Sequence, residues 1–415
     1  MDLVIHRGTR EIGGSCVQVT SGGKSILLDA GYPLGDTTSH VDLSVLDFSD
    51  VLISHPHKDH YGMIEGINDD KTIHVGELGR KLIDAGRIFM GQPVLKNRFS
   101  YYENRKPFSI GPFTITPYLM DHSSVDAFGF LIEAEGKRIY YSGDFRSHGM
   151  KEKVFKWFLA DPPKNVDVLL LEGTMLSRIG KDCDSESDIE QKMLDILREA
   201  TGPCFLIGSG QHIDRLCAAF RACKRAGRIF VLDIYTAYIL RLVSNRFENV
   251  PDFTDKNIRV LTKGRTASSH YSKVNANREL FGDFIPHIFL QDNQIGMDEI
   301  LDNPGKFILK VSNFSDLLGA MESTRVTVIY SQWIGYRQEI YNPTGFKRLV
   351  DLENNPNIDF YDVHTSGHAV VGDLQKLAEA LSPKMLIPIH TEHAEDYKEY
   401  FSNVSVTDDG EMFSI

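Results

Sequence analysis

The chain has 415 residues, 42% hydrophobic and 25% charged, with 34 glycines and 16 prolines. That is ordinary globular composition and excludes collagen-like, disordered and disulfide-framework classes. A formal net charge of −12 opposes non-specific nucleic-acid binding over the whole surface, so a polyanionic substrate has to be held locally.

The opening residues Met1–Arg7 read as a strand start and lack the basic and apolar regions of a signal peptide, which points to the cytoplasm. Short apolar runs then predict strands at Leu3–His6, Cys16–Thr20, Ser25–Leu28, Val51–Ser54, Phe113–Pro117, Phe128–Glu133, Arg138–Ser142 and Val168–Leu171. Helical periodicity is clearest at Leu78–Ile88 and Glu152–Leu159, so stacked sheets with outer helices are expected. The pattern changes beyond Leu176. Asp184-Ser185-Glu186-Ser187-Asp188 is an acidic, hydroxyl-rich helix entry. Strands at Pro203–Gly208 and Arg228–Asp233 alternate with helices at Ile213–Ala226 and Ala237–Phe247, the signature of a parallel α/β domain. After the turn Asn354-Asn355-Pro356, a strand at Asp359–His364, a helix at Gly372–Leu381 and a strand at Lys384–His390 suggest a return to the first domain. The five cysteines lack C-x-x-C spacing and fit reduced, non-catalytic thiols, and no window approaches the ~20 apolar residues of a membrane span.

The strongest chemical signal is Ser54-His55-Pro56-His57-Lys58-Asp59-His60, which places His55, His57, Asp59 and His60 in a loop leaving an apolar run. Borderline metals such as zinc take imidazole and carboxylate ligands, and a strand-end loop can converge side chains this close together. His55 and His57 point the same way in an extended loop, whereas Asp59 and His60 can turn toward a second ion about 3.5–4 Å away. The bland alternative is a polar surface loop. Basic residues that could line a groove include Arg98, Arg105, Lys106, Arg215 and Arg337, most of them expected to be solvated surface.

The H-x-H-x-D-H spacing resembles the signature of the metallo-β-lactamase fold, and other motifs follow in that superfamily's order. Asp29 in Ile26-Leu27-Leu28-Asp29, His122 in Met120-Asp121-His122-Ser123 and Asp144 in Ser142-Gly143-Asp144-Phe145-Arg146 match its supporting aspartate, third histidine and bridging carboxylate. Glu172 in Leu171-Glu172-Gly173, His368 in Ser366-Gly367-His368 and His390 in Ile389-His390-Thr391 are similar to motifs A, B and C of the β-CASP group of nucleic-acid hydrolases. Gln211-His212-Ile213-Asp214-Arg215 and Tyr330-Ser331-Gln332-Trp333 are similar to ribonuclease J-like members. The resemblance implies an α/β chain: a metallo-β-lactamase αββα sandwich over 1–175 and 356–415, with an inserted β-CASP α/β domain over 176–355. It implies two divalent metal ions, zinc first and manganese as the alternative. His55, His57 and His122 would hold one, Asp59, His60 and His390 the other, and Asp144 would bridge them. It gives catalytic roles to Asp59, Glu172 and His368, and substrate contacts to His364, Ser366 and His368. The expected substrate is RNA, with single-stranded DNA second, no membrane partner, and oligomerisation left open because the sequence stops at Ile415 without the extra domain of longer members.

Two cations could activate water, lowering its pKa from roughly 15.7 to about 7, which suits phosphodiester hydrolysis. Three rivals are weighed: a DNA nuclease of the same group, a small-molecule ester or thioester hydrolase, and an inactive scaffold. In the resemblance, a histidine at motif C favours RNA over DNA. The inserted domain suits a polymer better than a small ester, and the full ligand set argues against a scaffold.

Overall fold

The computed structural model describes residues 1–35, 39–176, 183–290, 293–312, 318–319, 321 and 324–415. Its strands, in chain order, are β1 (Asp2–Arg7), β2 (Cys16–Ser21), β3 (Lys24–Leu28), β4 (Asp50–Leu52), β5 (Thr72–Gly76), β6 (Arg98–Tyr102), β7 (Phe108–Ile110), β8 (Phe113–Met120), β9 (Ala127–Ala134), β10 (Lys137–Tyr141) and β11 (Val168–Glu172). They continue as β12 (Cys204–Ile207), β13 (Ile229–Leu232), β14 (Ile258–Leu261), β15 (Gln294–Ile295), β16 (Phe307–Lys310), β17 (Val326–Tyr330), β18 (Ile358–Asp362), β19 (Met385–Ile389) and β20 (Met412–Ser414).

Three sheets result, ordered β20-β1-β2-β3-β4-β5-β6, β19-β11-β10-β9-β8-β7 and β15-β14-β13-β16-β12-β17-β18. The first two pack face to face, and the strand period of two shows why. On β10, Ile139 and Tyr141 enter a core shared with Leu3, Val17, Ile26 and Leu28 of the first sheet. Tyr140 between them points the other way, joining Phe155 and Phe158 of the helix Glu152–Ala160 and Leu374 and Leu377 of the helix Val371–Leu381. β11 repeats this with Val168 and Leu170 inward and Leu169 and Leu171 outward. Each such side chain contributes roughly 1.5–3 kcal/mol of apolar burial, so the alternation fixes register strongly.

The direction of the strands positions the site. β8, β10, β11 and β19 run the same way in the second sheet, and β3 and β4 are parallel in the first. Asp29 and the His55–His60 loop therefore leave the C-terminal ends of β3 and β4. His122, Asp144, the Glu172 carboxylate and His390 come at the ends of β8, β10, β11 and β19.

The third sheet is parallel throughout, and its core includes Phe205, Val231, Leu309 and Val328. The chain divides into two compact units, Met1–Arg80 with Leu95–Cys183 and Ser366–Ile415, and Lys81–Val94 with Asp184–Thr365. The expected boundaries at 175 and 355 are thus displaced. The strand expected to open the return segment is β18, and it pairs with β17 through Val326↔Ile358 to Tyr330↔Asp362, so it completes the edge of the third sheet instead. The helix expected at Ala237–Phe247 begins at Ile234, because the Asp233 carboxylate accepts Thr236 N–H at 2.7 Å and caps it earlier. At Ser185 the expected entry forms a reciprocal capping box with Asp188. All five cysteines are free. Among the described residues no helix is long and apolar enough to cross a membrane.

Candidate metal centre

The ligand candidates of the first unit fall into two clusters around one carboxylate. In the first, His55 Nε2 lies 3.0 Å and His122 Nε2 3.1 Å from His57 Nδ1. In the second, His60 Nε2 lies 3.7 Å and His390 Nε2 3.4 Å from Asp59 Oδ2. Asp144 Oδ2 stands between them, 3.7 Å from His55 Nε2 and 3.2 Å from His60 Nε2. His55, His57 and His122 offer ligand atoms within 4.8 Å of one another, as do Asp59, His60 and His390.

The far side of each ring explains why the near side is a free donor. Asp29 accepts Ser54 N–H at 2.6 Å on Oδ1 and the Ser54 hydroxyl at 2.7 Å on Oδ2, and the same Oδ2 accepts His60 Nδ1–H at 2.7 Å. The Ser54 oxygen lies 3.0 Å from His55 Nδ1, so His55 is held through Ser54 to the same carboxylate. His122 Nδ1 donates to the Gly367 carbonyl at 2.6 Å, and His390 Nδ1 meets the Thr174 hydroxyl at 2.9 Å. In this arrangement His55, His60, His122 and His390 each present Nε2 as a lone pair to the interior.

The donor set fits divalent cations. His60 Nε2 is buried and makes no hydrogen bond, although a carboxylate lies beside it. Burial and the neighbouring imidazoles hold His55 and His122 well below the usual histidine range, and burial pushes His57 down to about 4. Neutral rings are what a cation requires. At His60 burial opposes the charged ring, but Asp144, Asp29 and Asp59 outweigh it and raise the pKa, which marks an excess of negative charge at that point.

The short helix Lys58–Tyr61 sets Asp59 and His60, and its seat is backbone. Ala30 N–H donates to His60 O at 2.8 Å and Tyr32 N–H to Lys58 O at 3.0 Å. A Cβ on Gly31 would fall 1.6 Å from Asp59 O, so only glycine permits this approach.

The remaining expected residues separate. Glu172 is fully buried, and both its oxygens accept backbone N–H groups, from Thr174 at 3.0 Å and Ala369 at 3.2 Å. His368 Nδ1 lies 3.5 Å from Glu172 Oε1 and 3.7 Å from Asp144 Oδ2, without a hydrogen-bond partner. Burial lowers the His368 pKa, but Glu172 and Asp144 outweigh it and raise it. Ser366 accepts His368 N–H on Oγ at 3.1 Å, while its carbonyl accepts Arg146 Nη1–H at 3.0 Å and His148 Nε2–H at 2.9 Å. His364 belongs to the second unit, where its Nδ1 lies 3.4 Å from Arg215. Arg215, a groove candidate from the sequence, is buried and donates to both oxygens of Glu186 at 3.0 and 3.1 Å. Arg105 and Arg337 are also paired with acids. The Ser54 and Thr174 hydroxyls, which meet His55 Nδ1 and His390 Nδ1 from behind, carry no spacing signal and were not expected.

The chain matches the family model described as "Beta-lactamase superfamily domain" over residues 25–201, and the one described as "Zn-dependent metallo-hydrolase RNA specificity domain" over residues 357–408. Ribonuclease J of Helicobacter pylori is 22% identical over 423 residues, an alignment covering 93% of this chain and 55% of that protein. The chain thus carries a β-lactamase superfamily domain and is similar to ribonuclease J over most of its length. Ribonuclease J of Mycoplasma pneumoniae is 23% identical over 421 residues, covering 93% of this chain and 67% of that one. The ribonuclease J-like chain thus spans about half the length of the Helicobacter relative. A crystal structure of a protein of unknown function from Enterococcus faecalis V583 shares its fold, with a TM-score of 0.74 over 99% of both chains at 19% identity.

Proposed function

We propose that the protein hydrolyses phosphodiester bonds in RNA at a two-cation centre in its first unit. The observation that carries this reading is the convergence of two histidine clusters on Asp144. His55, His57 and His122 would hold one cation, Asp59, His60 and His390 the other, with Asp144 shared and zinc the favoured ion. When bound, the cations supply Lewis-acid polarisation of the phosphoryl group and a water pKa lowered to about 7. The chain's own groups do the rest. Asp29, through Ser54 and His60 Nδ1, fixes the tautomers of His55 and His60. Gly367 O fixes His122, so the loop that carries His368 is tied to the first cluster. Glu172 anchors that loop through Ala369 N–H and is a positioning residue. His368 Nδ1, unpartnered and beside the shared carboxylate, is placed to give a proton to the leaving oxygen. Ser366, engaged with His368 N–H, shapes that loop and offers its hydroxyl to a phosphate oxygen, while His364 is proposed as a phosphate contact only through the motif.

The test combines elemental analysis with cleavage of 5′-labelled and 3′-labelled RNA and of single-stranded DNA, with Zn²⁺ or Mn²⁺. Two ions per chain and RNA cleavage are expected, and Asp144→Ala is expected to lose both. Cleavage of DNA alone would replace the substrate, and an Asp144→Ala protein retaining two tightly bound ions would refute the shared carboxylate.

A further inference from the structure

Tyr141 is the last residue of β10, three positions before Asp144. Its ring lies in the core between the two sheets, parallel to that of Phe130 at 6.5 Å. A phenylalanine would satisfy that core equally well. The hydroxyl, however, donates to Asp29 Oδ2 at 2.6 Å, the same oxygen that accepts His60 Nδ1–H at 2.7 Å and the Ser54 hydroxyl at 2.7 Å. Asp29 follows β3 in the first sheet and holds a φ of 59°, a left-handed conformation uncommon for a residue other than glycine. Burial and the charge of Asp29 push the phenol well above its ordinary range, so it stays a donor.

The geometry has a second side. His60 Nε2 and Asp144 Oδ2 approach to 3.2 Å from different sheets without a hydrogen bond between them. The Tyr141–Asp29 bond is the polar strut that joins the strand delivering Asp144 to the carboxylate aiming His60. We propose that Tyr141 is a positioning residue that sets the approach of His60 to Asp144 and so the affinity of the Asp59–His60–His390 cluster for its cation. This rests on the proposed reading that the cluster holds a cation.

Tyr141→Phe removes the strut at nearly constant volume, and outer-shell losses of this kind typically lower metal affinity about 10–100-fold. Zinc dissociation constants of the full chain are measured by competition with a chromophoric chelator, and the cobalt(II) spectrum is recorded for the same preparations. The constant that disappears in His390→Ala identifies the second cluster. In Tyr141→Phe that constant is expected to rise by roughly 10-fold, with an altered cobalt band, while the other constant and the melting temperature of the metal-free protein hold. A purely structural role would move both constants and the metal-free melting temperature together. If Tyr141→Phe lowers the melting temperature of the metal-free protein, the two constants are measured again well below that transition, where the loss at the second cluster alone is still expected. Equal effects at both sites, or none, overturn the inference and leave the two-cation reading standing. A wild-type chain holding fewer than two ions overturns both.

Discussion

His368 is the residue at which proton donation and metal ligation compete. Its Nδ1 lies 3.7 Å from Asp144 Oδ2 and within ligand-atom reach of His122 and His390, but on the proposed reading each cation already has three other residues and Asp144. His368→Ala is therefore expected to retain both ions and to lose about 10²–10⁴-fold in single-turnover RNA cleavage, the range of a general acid. Loss of an ion on elemental analysis would make it a ligand instead. Gly31 works in the opposite sense, through space. Gly31→Ala brings a methyl group into Asp59 O, so the Lys58–Tyr61 helix must move. We expect roughly 1–3 kcal/mol or more of destabilisation and weakened binding at the second cluster, read by chemical denaturation and zinc titration. Sequence spacing reached His55 to His60 because their ligand pattern is local. Resemblance added His122, Asp144 and His390, each of which is ambiguous alone. Neither reached Gly31, Ser54 or Tyr141, whose importance comes from backbone approach and from a carboxylate distant in sequence.

At the scale of elements, the expected strands came from apolar runs, but the short runs of β16 and β17 were left out along with more polar strands such as β5. β5 carries His74, whose Nε2 lies 2.8 Å from Asp50 Oδ1, and that part-buried pair breaks the apolar pattern. β18 was assigned to the wrong unit because a short edge strand carrying Asp359 and Asp362 reads the same in either sheet, and only its parallel pairing with β17 decides. Another acid ties a loop to a helix in the second unit. Asp252 accepts Arg241 Nε–H at 2.7 Å and Nη2–H at 2.9 Å, together with Thr254 N–H at 3.0 Å. Burial pushes this carboxyl up, but the Arg241 and Thr254 hydrogen bonds outweigh it and hold it below its ordinary value. A carboxyl lowered on folding contributes stability that is present above its unfolded pKa of about 3.9 and is lost as pH falls through the folded value. Asp252→Asn is therefore expected to cost on the order of 1 kcal/mol at pH 7, and the difference from wild type should shrink as pH falls below the unfolded value of about 3.9 and through the lower folded one. Urea titrations across pH measure this, and a constant difference down to pH 2 would refute it.

At the scale of the whole molecule, clustered imidazoles and carboxylates that take up a cation would make metal a determinant of stability. A cation that binds the folded chain at a free concentration a hundred times its dissociation constant adds about 2.7 kcal/mol per site. Chelation is thus expected to lower the melting temperature, and readdition of zinc to restore it; a scan unaffected by chelator would argue against cation binding. The first unit is also built from separated stretches of chain. β20 closes the sheet beside β1 through Asp2↔Ser414, and His368 and His390 both follow the second unit in sequence. A ribosome that has released the chain only through Thr365 has therefore delivered six of the seven ligand candidates, while His390, His368 and the Gly367 carbonyl that aims His122 are still to come. On the proposed reading, the timing of synthesis itself withholds a finished centre. On that reading the nascent chain lacks those groups until the whole of its second unit has been synthesised.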